Sequence, residues 1–176
     1  MKTIEVNLFK FEELSEESQQ RTLEKLWDIN LDYDWWEWAY EDAKNVGIKI
    51  DGFDIDRGSY CKIDNYDSWN EVADKIISEH GDSCETYKYA KEFLENRDDL
   101  VSKYSDGVKL DEVDEDNEYD FDEELDELEE EFKSDLSNAY LNILRDDYEY
   151  RMSEEAIKES IIDNGYYFLE EGGDIY

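Results

Sequence analysis

The densest set of chemically active side chains in this sequence is the run from Asp111 to Glu131. Fifteen of its twenty-one residues are Asp or Glu, and none is Lys or Arg. On a helix this run would carry one negative charge about every 2 Å, close to the spacing of about 1.7 Å along the axis of duplex DNA. Side chains of this type and density attract cations, which are either metal ions or the basic surface of another protein.

Without a metal, the acidic run has two interpretations. Its carboxylates either cover the solvated faces of an amphipathic helix and do nothing further, or they form a surface that binds a basic protein. We favour the second interpretation, in which the helix resembles nucleic acid to a protein that binds nucleic acid. The predicted partner-binding residues in the run are Asp111, Glu112, Asp114, Glu115, Asp116, Glu118, Asp120, Asp122, Glu123, Asp126, Glu129 and Glu130.

A formed metal site is not expected in the run. The sixth position of an EF-hand loop must be Gly for the chain to turn. Loops that begin at Asp114 or Asp116 would place Tyr119 or Phe121 at that position. We expect diffuse, weak binding of divalent ions, and neither a bound metal nor a cofactor.

The side chains that catalyse reactions in other proteins are sparse here. His80 is the single histidine, so a Cys-His or Ser-His-Asp arrangement would depend on it alone. It precedes Gly81 at a predicted helix end, where attraction to the negative end of the helix dipole accounts for it. The sequence has no nucleophile elbow, P-loop or dinucleotide fingerprint. We therefore expect a protein that is not an enzyme.

A second candidate contact surface lies in Asp32–Tyr40, which contains three Trp and two Tyr. On a helix Trp35 and Trp38 lie one turn apart, and we expect both to face the core. The other aromatic side chains would then be at least half exposed among carboxylates, as aromatic anchors of an interface are. This second predicted surface consists of Asp34, Trp36, Glu37 and Tyr40.

The overall charge indicates the class of partner. The chain has 53 acidic and 18 basic residues, which gives a formal net charge of -35. Attraction to phosphate supplies most non-specific binding to nucleic acid, and here its sign is wrong. We expect a basic protein partner, no direct binding to nucleic acid and repulsion from anionic membranes. Salt adaptation is a weaker explanation, because the acids are bunched rather than spread along the chain.

The composition also favours a folded protein. Charged residues make up 40%, which is typical of disorder, but 15% of residues are aromatic, more than disordered acidic chains usually contain. We expect a single domain, with an α+β core at 1–106, an acidic loop at 107–120, and a long helix, a short helix and a strand in 121–176. The lack of a signal-peptide pattern and of ~20 consecutive apolar residues predicts a cytosolic location.

The hydrophobic pattern predicts the elements that would position these residues. Thr3–Phe11 alternates as a strand does, and a helix is expected at 33–46 with Gly47 after its end. Alternation then predicts the two strands of a hairpin at 48–55 and 60–63. We expect the hairpin and the N-terminal strand to form a small antiparallel sheet of three or four strands.

Most of the remaining chain reads as helix. Apolar spacing predicts helices at 68–79 and 83–104, and a long helix whose buried stripe runs from Phe121 to Ile143. The predicted fold class is therefore α+β, mostly helical, with one long acidic helix in the C-terminal half.

Local signals predict where two further helices begin and how the chain closes. Ser15 and Ser153 each precede two glutamates and are expected to cap helices. A closing strand is expected at 166–169. Gly172 and Gly173 are expected to loosen the residues that follow.

Two parts of the sequence carry a resemblance. The first is Leu31-Asp32-Tyr33-Asp34-Trp35-Trp36-Glu37, followed by Tyr40-Glu41-Asp42-Ala43-Lys44, Gly47-Ile48-Lys49-Ile50 and Gly52-Phe53. The second comprises Tyr148-Glu149-Tyr150, Ser153-Glu154-Glu155-Ala156-Ile157 and Asn164-Gly165-Tyr166-Tyr167-Phe168. Together they resemble a group of small acidic proteins of bacteriophages and prophages. The likeness spans most of the chain, but the run Asp111–Glu131 is not part of it.

The resemblance implies a phage protein, and with the charge it implies an inhibitor of host defence in the bacterial cytosol. Such inhibitors include anti-CRISPR and anti-restriction proteins that imitate DNA and occupy the basic grooves of nucleases. On this interpretation the partner is a Cas or restriction nuclease. The alternatives are an antitoxin-like or regulatory binder of another basic protein, and an ion-buffering accessory protein.

Overall fold

The computed structural model describes residues 5–31, 34–105 and 115–176, with the side chains of 105 and 115–119 excepted. These residues form helices and short antiparallel strands, which confirms the predicted α+β, mostly helical class. The helices are α1 (Glu16–Lys25), α2 (Glu37–Asn45), α3 (Trp69–Glu79), α4 (Glu85–Ser105), α5 (Glu115–Arg151) and α6 (Glu154–Asp163). The strands are β1 (Phe9–Lys10), β2 (Ile48–Asp54), β3 (Tyr60–Asn65) and β4 (Tyr167–Phe168).

Serine caps fix the starts of three helices. The Ser15 side chain accepts a hydrogen bond from the Ser18 amide at 3.2 Å, and Ser153 caps α6 in the same way. Ser68 forms a capping box with Glu71 at the start of α3. These bonds satisfy backbone amides that have no partner within the helix, so the predicted cap positions at Ser15 and Ser153 are confirmed.

The chain divides into two compact units. Unit 1 comprises 1–36 and 145–176, and unit 2 comprises 37–144. The residues of α5 up to Leu144 belong to unit 2, and those from Arg145 onward belong to unit 1. The candidate acidic site therefore belongs to unit 2.

Unit 1 is built around a small apolar cluster to which both its segments contribute. Its core consists of Phe11, Leu14, Ile157, Ile161 and Phe168. The Phe11 and Phe168 rings meet edge to face at 6.4 Å. β1 pairs with β4 and not with the central hairpin, so the expected joining of the N-terminal strand to that hairpin was wrong. β1 is only two residues long, because a short 3-10 helix at Phe11–Glu13 follows it directly. The Phe11 side chain of this helix is buried in the core.

The C-terminal residues of unit 1 are fastened to α1. The backbone amide of Gly173 donates to the Thr22 hydroxyl at 2.9 Å, and the Ser18 hydroxyl donates to the Glu170 carbonyl at 2.8 Å. Gly172 has φ +71°, and a Cβ atom there would collide with the carbonyl oxygen of Ser18. The expectation that the two glycines loosen this end was wrong, since they permit its close approach to α1.

Unit 2 begins with α2 and a two-stranded hairpin. Gly47 has φ +88°, a conformation that glycine adopts without strain, and joins α2 to β2. β2 and β3 pair antiparallel. Alternate side chains of the hairpin point into the core, namely those of Ile48, Ile50, Cys61 and Ile63. Burial raises the pKa of the Cys61 thiol to about 11, so this cysteine stays protonated at neutral pH.

Three aromatic side chains join α3, α4 and α5. The Phe93 and Phe132 rings stack at 4.4 Å with an interplanar angle of 13°, and Trp69 meets Phe132 edge to face at 5.9 Å. All three side chains are buried. This contact packs α5 against α3 and α4.

A polar network lies among four elements of unit 2. His80, the residue that ends α3, has its Nδ1 atom 2.7 Å from the Thr86 hydroxyl of α4. Its Nε2 atom lies 3.6 Å from Asp42 of α2. The other carboxylate oxygen of Asp42 accepts a hydrogen bond from Tyr140 of α5 at 3.0 Å. Burial, and then the charge of Asp42, raise the pKa of the fully buried Tyr140 phenol.

The bond from Tyr140 to Asp42 allows a direct test of this network. We expect Tyr140→Phe to cost about 1–2 kcal/mol of unfolding free energy, because it removes a buried donor from a charged acceptor. Urea unfolding at neutral pH measures the change. Tyr104→Phe is the matched control, since its hydroxyl also donates to a carboxylate but Tyr104 is only partly buried, and its effect should be smaller. An equal effect of the two substitutions would contradict the structural role given to Asp42 and Tyr140.

The acidic face of helix α5

The predicted acidic run is only partly within the described residues. Asp111, Glu112 and Asp114 lie outside them. Glu115, Asp116 and Glu118 lie in the first turns of α5, whose helical backbone is described but whose side chains are not. α5 begins six residues before Phe121, so 115–120 are helical and not part of the acidic loop that was predicted at 107–120. The site is built below from Asp120 onward.

The apolar stripe of α5 sets which acids face outward. Phe121, Leu125 and Leu128 are partly buried and Phe132 is buried. Successive residues turn by about 100°, so six exposed acids of the run lie on the side of the helix away from this stripe and extend over about 15 Å of helix axis. This outer acidic row consists of Asp120, Asp122, Glu123, Asp126, Glu127 and Glu130. Glu131 is exposed as well, but it lies toward α4.

One carboxylate of the run is neutralised within the protein. Both carboxylate oxygens of Glu124 lie 2.6 Å from the Lys103 ammonium, and the Tyr104 hydroxyl donates to the same carboxylate at 2.9 Å. The bond from Lys103, followed by that from Tyr104, lowers the pKa of Glu124. The Tyr104 ring also meets Phe121 edge to face at 5.5 Å. These contacts join the end of α4 to the first half of α5. Lys103 is directed to Glu124 and not to the outer acidic row.

Glu129 differs from the other predicted contact residues of the run. It is partly buried, and burial and then the charge of Asp126 raise its pKa, while Arg97 of α4 opposes that shift. The side chain therefore lies on the flank of α5 that faces α4. Glu127, which the sequence did not single out, occupies the outward position in its place.

A narrow groove between α4 and α5 holds further carboxylates. Its volume is about 40 Å³. Burial raises the pKa of Asp135, and the neighbouring charges of Glu131 and Glu92 raise it further. A carboxylate that is partly buried near like charges destabilises the folded protein at neutral pH. The groove is lined by Tyr89, Glu92, Phe93, Asn96, Leu128, Glu131, Phe132 and Asp135.

The sign of the Asp135 shift predicts a pH dependence of stability. A carboxyl whose pKa is raised on folding stabilises the fold while it is protonated, and this stabilisation is lost as the pH rises through the folded-state pKa. We expect Asp135→Asn to raise the melting temperature at pH 7.5 and to leave it little changed near pH 4. Thermal unfolding at the two pH values measures this.

The control for that experiment is Asp122→Asn on the outer acidic row, which removes the same charge from an exposed position. Its effect at pH 7.5 should be smaller than that of Asp135→Asn. A lower melting temperature for Asp135→Asn at pH 7.5 would show that the charged form is stabilising and would contradict the argument.

The second predicted surface is arranged differently from the expectation. Trp35 is buried at 9% exposure, as predicted, and its ring lies 5.5 Å from that of Tyr148. Trp38 is 43% exposed, so its placement in the core was wrong. Trp36 and Tyr40 are partly buried, and the expectation that each is at least half exposed was also wrong.

The cause is the start of α2. The helix begins at Glu37 and not at Tyr33, so Trp35 and Trp36 lie in the turn before it and Trp35 does not share a helical face with Trp38. The buried stripe of α2 is Ala39 and Ala43. Asp34 and Glu37 are exposed, as an acidic contact surface requires.

The contacts of Trp36 and Tyr40 explain their partial burial. The Trp36 ring packs edge to face on Trp35 at 5.6 Å, and the Tyr40 ring packs on Phe53 at 6.3 Å. Burial raises the pKa of Tyr40, with Cys61 next among the causes. Trp36 and Tyr40 therefore contribute to the packing of the protein, and only their exposed parts are accessible to a partner.

Stability measurements should separate the two tryptophans. We expect Trp35→Ala to cost about 3–5 kcal/mol, the range for large buried aromatics, because it empties the space against Tyr148. Trp38→Ala should cost less than ~1 kcal/mol, as surface substitutions usually do. Urea unfolding followed by circular dichroism measures both. Equal costs would contradict the burial of Trp35 and the exposure of Trp38.

Among the described residues, no three His, Cys, Asp or Glu side chains converge to hold a metal ion. None of the helices in the described ranges combines the length and the apolar character that crossing a membrane requires.

The comparisons with known proteins add no assignment. No protein-family model, no curated protein and no solved structure matches this chain.

Proposed function

We propose that this protein is an acidic inhibitor that binds the basic nucleic-acid-binding surface of a bacterial defence nuclease in place of DNA or RNA. The observation that supports this most is the outer acidic row. It presents six exposed carboxylates on one side of α5, about one for every 2.5 Å of helix axis. Each strand of duplex DNA presents one phosphate about every 3.4 Å.

The fixed position of the row favours binding. The stack of Phe93 on Phe132 and the bonds of Lys103 and Tyr104 to Glu124 hold α5 against α4. The backbone of a packed helix does not have to be ordered when a partner arrives, so less free energy is lost on binding. A disordered acidic segment would not have this advantage.

The net charge supports the same class of partner. At -35, the protein is attracted to basic proteins at long range, which speeds encounter at low salt. The same charge repels nucleic acid. Both the net charge of the protein and the spacing of the carboxylates on α5 are suited to a basic groove that binds phosphates.

The resemblance to small acidic phage proteins adds the biological setting. A phage protein that occupies such a groove on a Cas or restriction nuclease would act as an anti-CRISPR or anti-restriction protein in the host cytosol. An antitoxin-like or regulatory binder of another basic protein would use the same surface. The two functions differ in the partner, and an assay with nucleases distinguishes them.

Charge reversal on the outer acidic row tests the proposal. We expect the parent protein to displace duplex DNA from a basic Cas or restriction nuclease, with an effect that weakens as salt increases. The variant with Glu123, Asp126, Glu127 and Glu130 all changed to Lys should lose most of this competition. Fluorescence anisotropy of labelled DNA measures displacement, and DNA cleavage measures inhibition.

The matched control changes the same number of exposed acids to Lys on unit 1, at Glu12, Asp28, Glu149 and Asp163. It alters the net charge equally but leaves the outer acidic row intact, so it should compete nearly as well as the parent. Equal loss in both variants would mean that only total charge matters. Full competition by the outer-row variant, or binding of duplex DNA by the parent alone at physiological salt, would overturn the proposal.

A further inference from the structure

We propose that Lys103, although it is a cation, is a positioning residue for the outer acidic row and strengthens binding to the basic partner. The inference rests on the proposed function and assigns a role to a residue outside the row. On charge alone Lys103 should weaken binding, because a cation repels a basic surface. Its contacts with α5 give it the opposite effect.

The part of α5 that carries the row is weakly held by apolar packing. No side chain from Asp120 to Glu131 is buried, and the first buried side chain after them is that of Phe132. The row therefore extends up to about 18 Å along the helix axis from the stack at Phe132. Segments with little buried apolar surface open locally at a low cost in free energy, so this part of the helix needs a second attachment.

Lys103 provides that attachment at Glu124. Glu124 lies eight residues before Phe132, about 12 Å along the helix axis, and both its carboxylate oxygens lie 2.6 Å from the Lys103 ammonium. The Tyr104 hydroxyl donates to the same carboxylate at 2.9 Å, and the Lys103 ammonium lies 4.9 Å from the centre of the Tyr104 ring. Two attachments fix the direction of a helix, whereas a single one lets its far end move or fray.

The Glu124 contacts act on binding through the fraction of molecules in which the row is in place. The apparent affinity for a rigid basic groove falls in proportion to that fraction. An exposed ion pair changes an equilibrium constant by up to about fivefold. Loss of the Lys103 ammonium should therefore weaken binding by no more than about fivefold, and the direction of the change is the decisive result.

Lys91 provides the matched control. It lies on the same helix, α4, and forms an ion pair at 3.7 Å with Glu95 of that helix. The Lys91 side chain is 61% exposed and the Lys103 side chain is 58% exposed. Changing either lysine to Met removes one positive charge. The ion pair lost at Lys91 lies within α4, whereas the one lost at Lys103 joins α4 to α5.

Displacement of labelled duplex DNA from a basic Cas or restriction nuclease, measured by fluorescence anisotropy, is the first test. We expect Lys103→Met to compete about two- to fivefold more weakly than the parent, although its net negative charge is greater. Lys91→Met should compete as well as the parent or slightly better, as charge alone predicts. Lys103→Arg keeps a cation that can bond both oxygens of Glu124, and it should compete within about twofold of the parent.

Amide hydrogen exchange of the free full-length protein tests the Glu124 contacts without a partner. Exchange at 120–128 should be faster in Lys103→Met than in the parent, while amides near the buried Phe132 and Leu136 should keep their rates. Lys91→Met should leave both regions unchanged. A general loss of stability would speed exchange throughout unit 2, so this pattern distinguishes a positioning role from a merely structural one.

Either of two results would overturn the role of Lys103. One is competition by Lys103→Met that equals or exceeds that of Lys91→Met, and the other is equal exchange at 120–128 in these two variants. If Lys103→Met competes like the parent and the outer-row variant does not, the positioning role is wrong and the proposed function stands. If the outer-row variant also competes fully, the proposed function itself is wrong, and the role of Lys103 in binding is wrong with it.

Discussion

The packing of Phe132 against Phe93 and Trp69 is the contact on which the acidic surface depends. These rings lie 4.4 and 5.9 Å from Phe132 and bury an apolar stripe of a helix that is otherwise dense in carboxylates. Aromatic side chains supply large buried areas, which is what a chain with a net charge of -35 needs to offset its self-repulsion. The high aromatic content of the sequence thus offsets the destabilising effect of its acidity.

The acids of this region have three different environments. Those of the outer acidic row face solvent, where water screens their mutual repulsion. Glu124 is paired with Lys103, which lowers its pKa. Asp135 and Glu129 are partly buried near other acids, and their pKa values are raised. The last group destabilises the fold at neutral pH, which indicates that the position of α5 against α4 is maintained by apolar packing and by the Glu124 contacts.

Local chemistry was sufficient to predict the starts of α1 and α6. Ser15 and Ser153 cap helices where the sequence indicates, because the bond from a cap to the first turn involves residues only three apart. The apolar stripe from Phe121 onward was also predictable, since a helical period that continues over many turns is a strong signal. The outer acidic row follows from that stripe once the helix phase is known.

The predictions that failed concern contacts between distant residues or the exact start of a helix. The pairing of β1 with β4 joins residues about 160 positions apart, and no local pattern specifies it. In the Trp-rich segment, a helix start four residues later than expected changed the phase and exchanged the roles of Trp36 and Trp38. The exposure of Trp38 was missed for the same reason. Glu127 was missed although its outward position follows from the predicted apolar stripe of α5.

In the proposed complex, the outer acidic row would act mainly during encounter. It would attract a basic protein from a distance, and such attraction mainly raises the association rate and its dependence on salt. Its separate charges each contribute little once the complex has formed, because exposed ion pairs are worth about 0–1 kcal/mol. A protein that used the acidic row alone would bind many basic proteins weakly, so selectivity for one of them requires contacts outside the row.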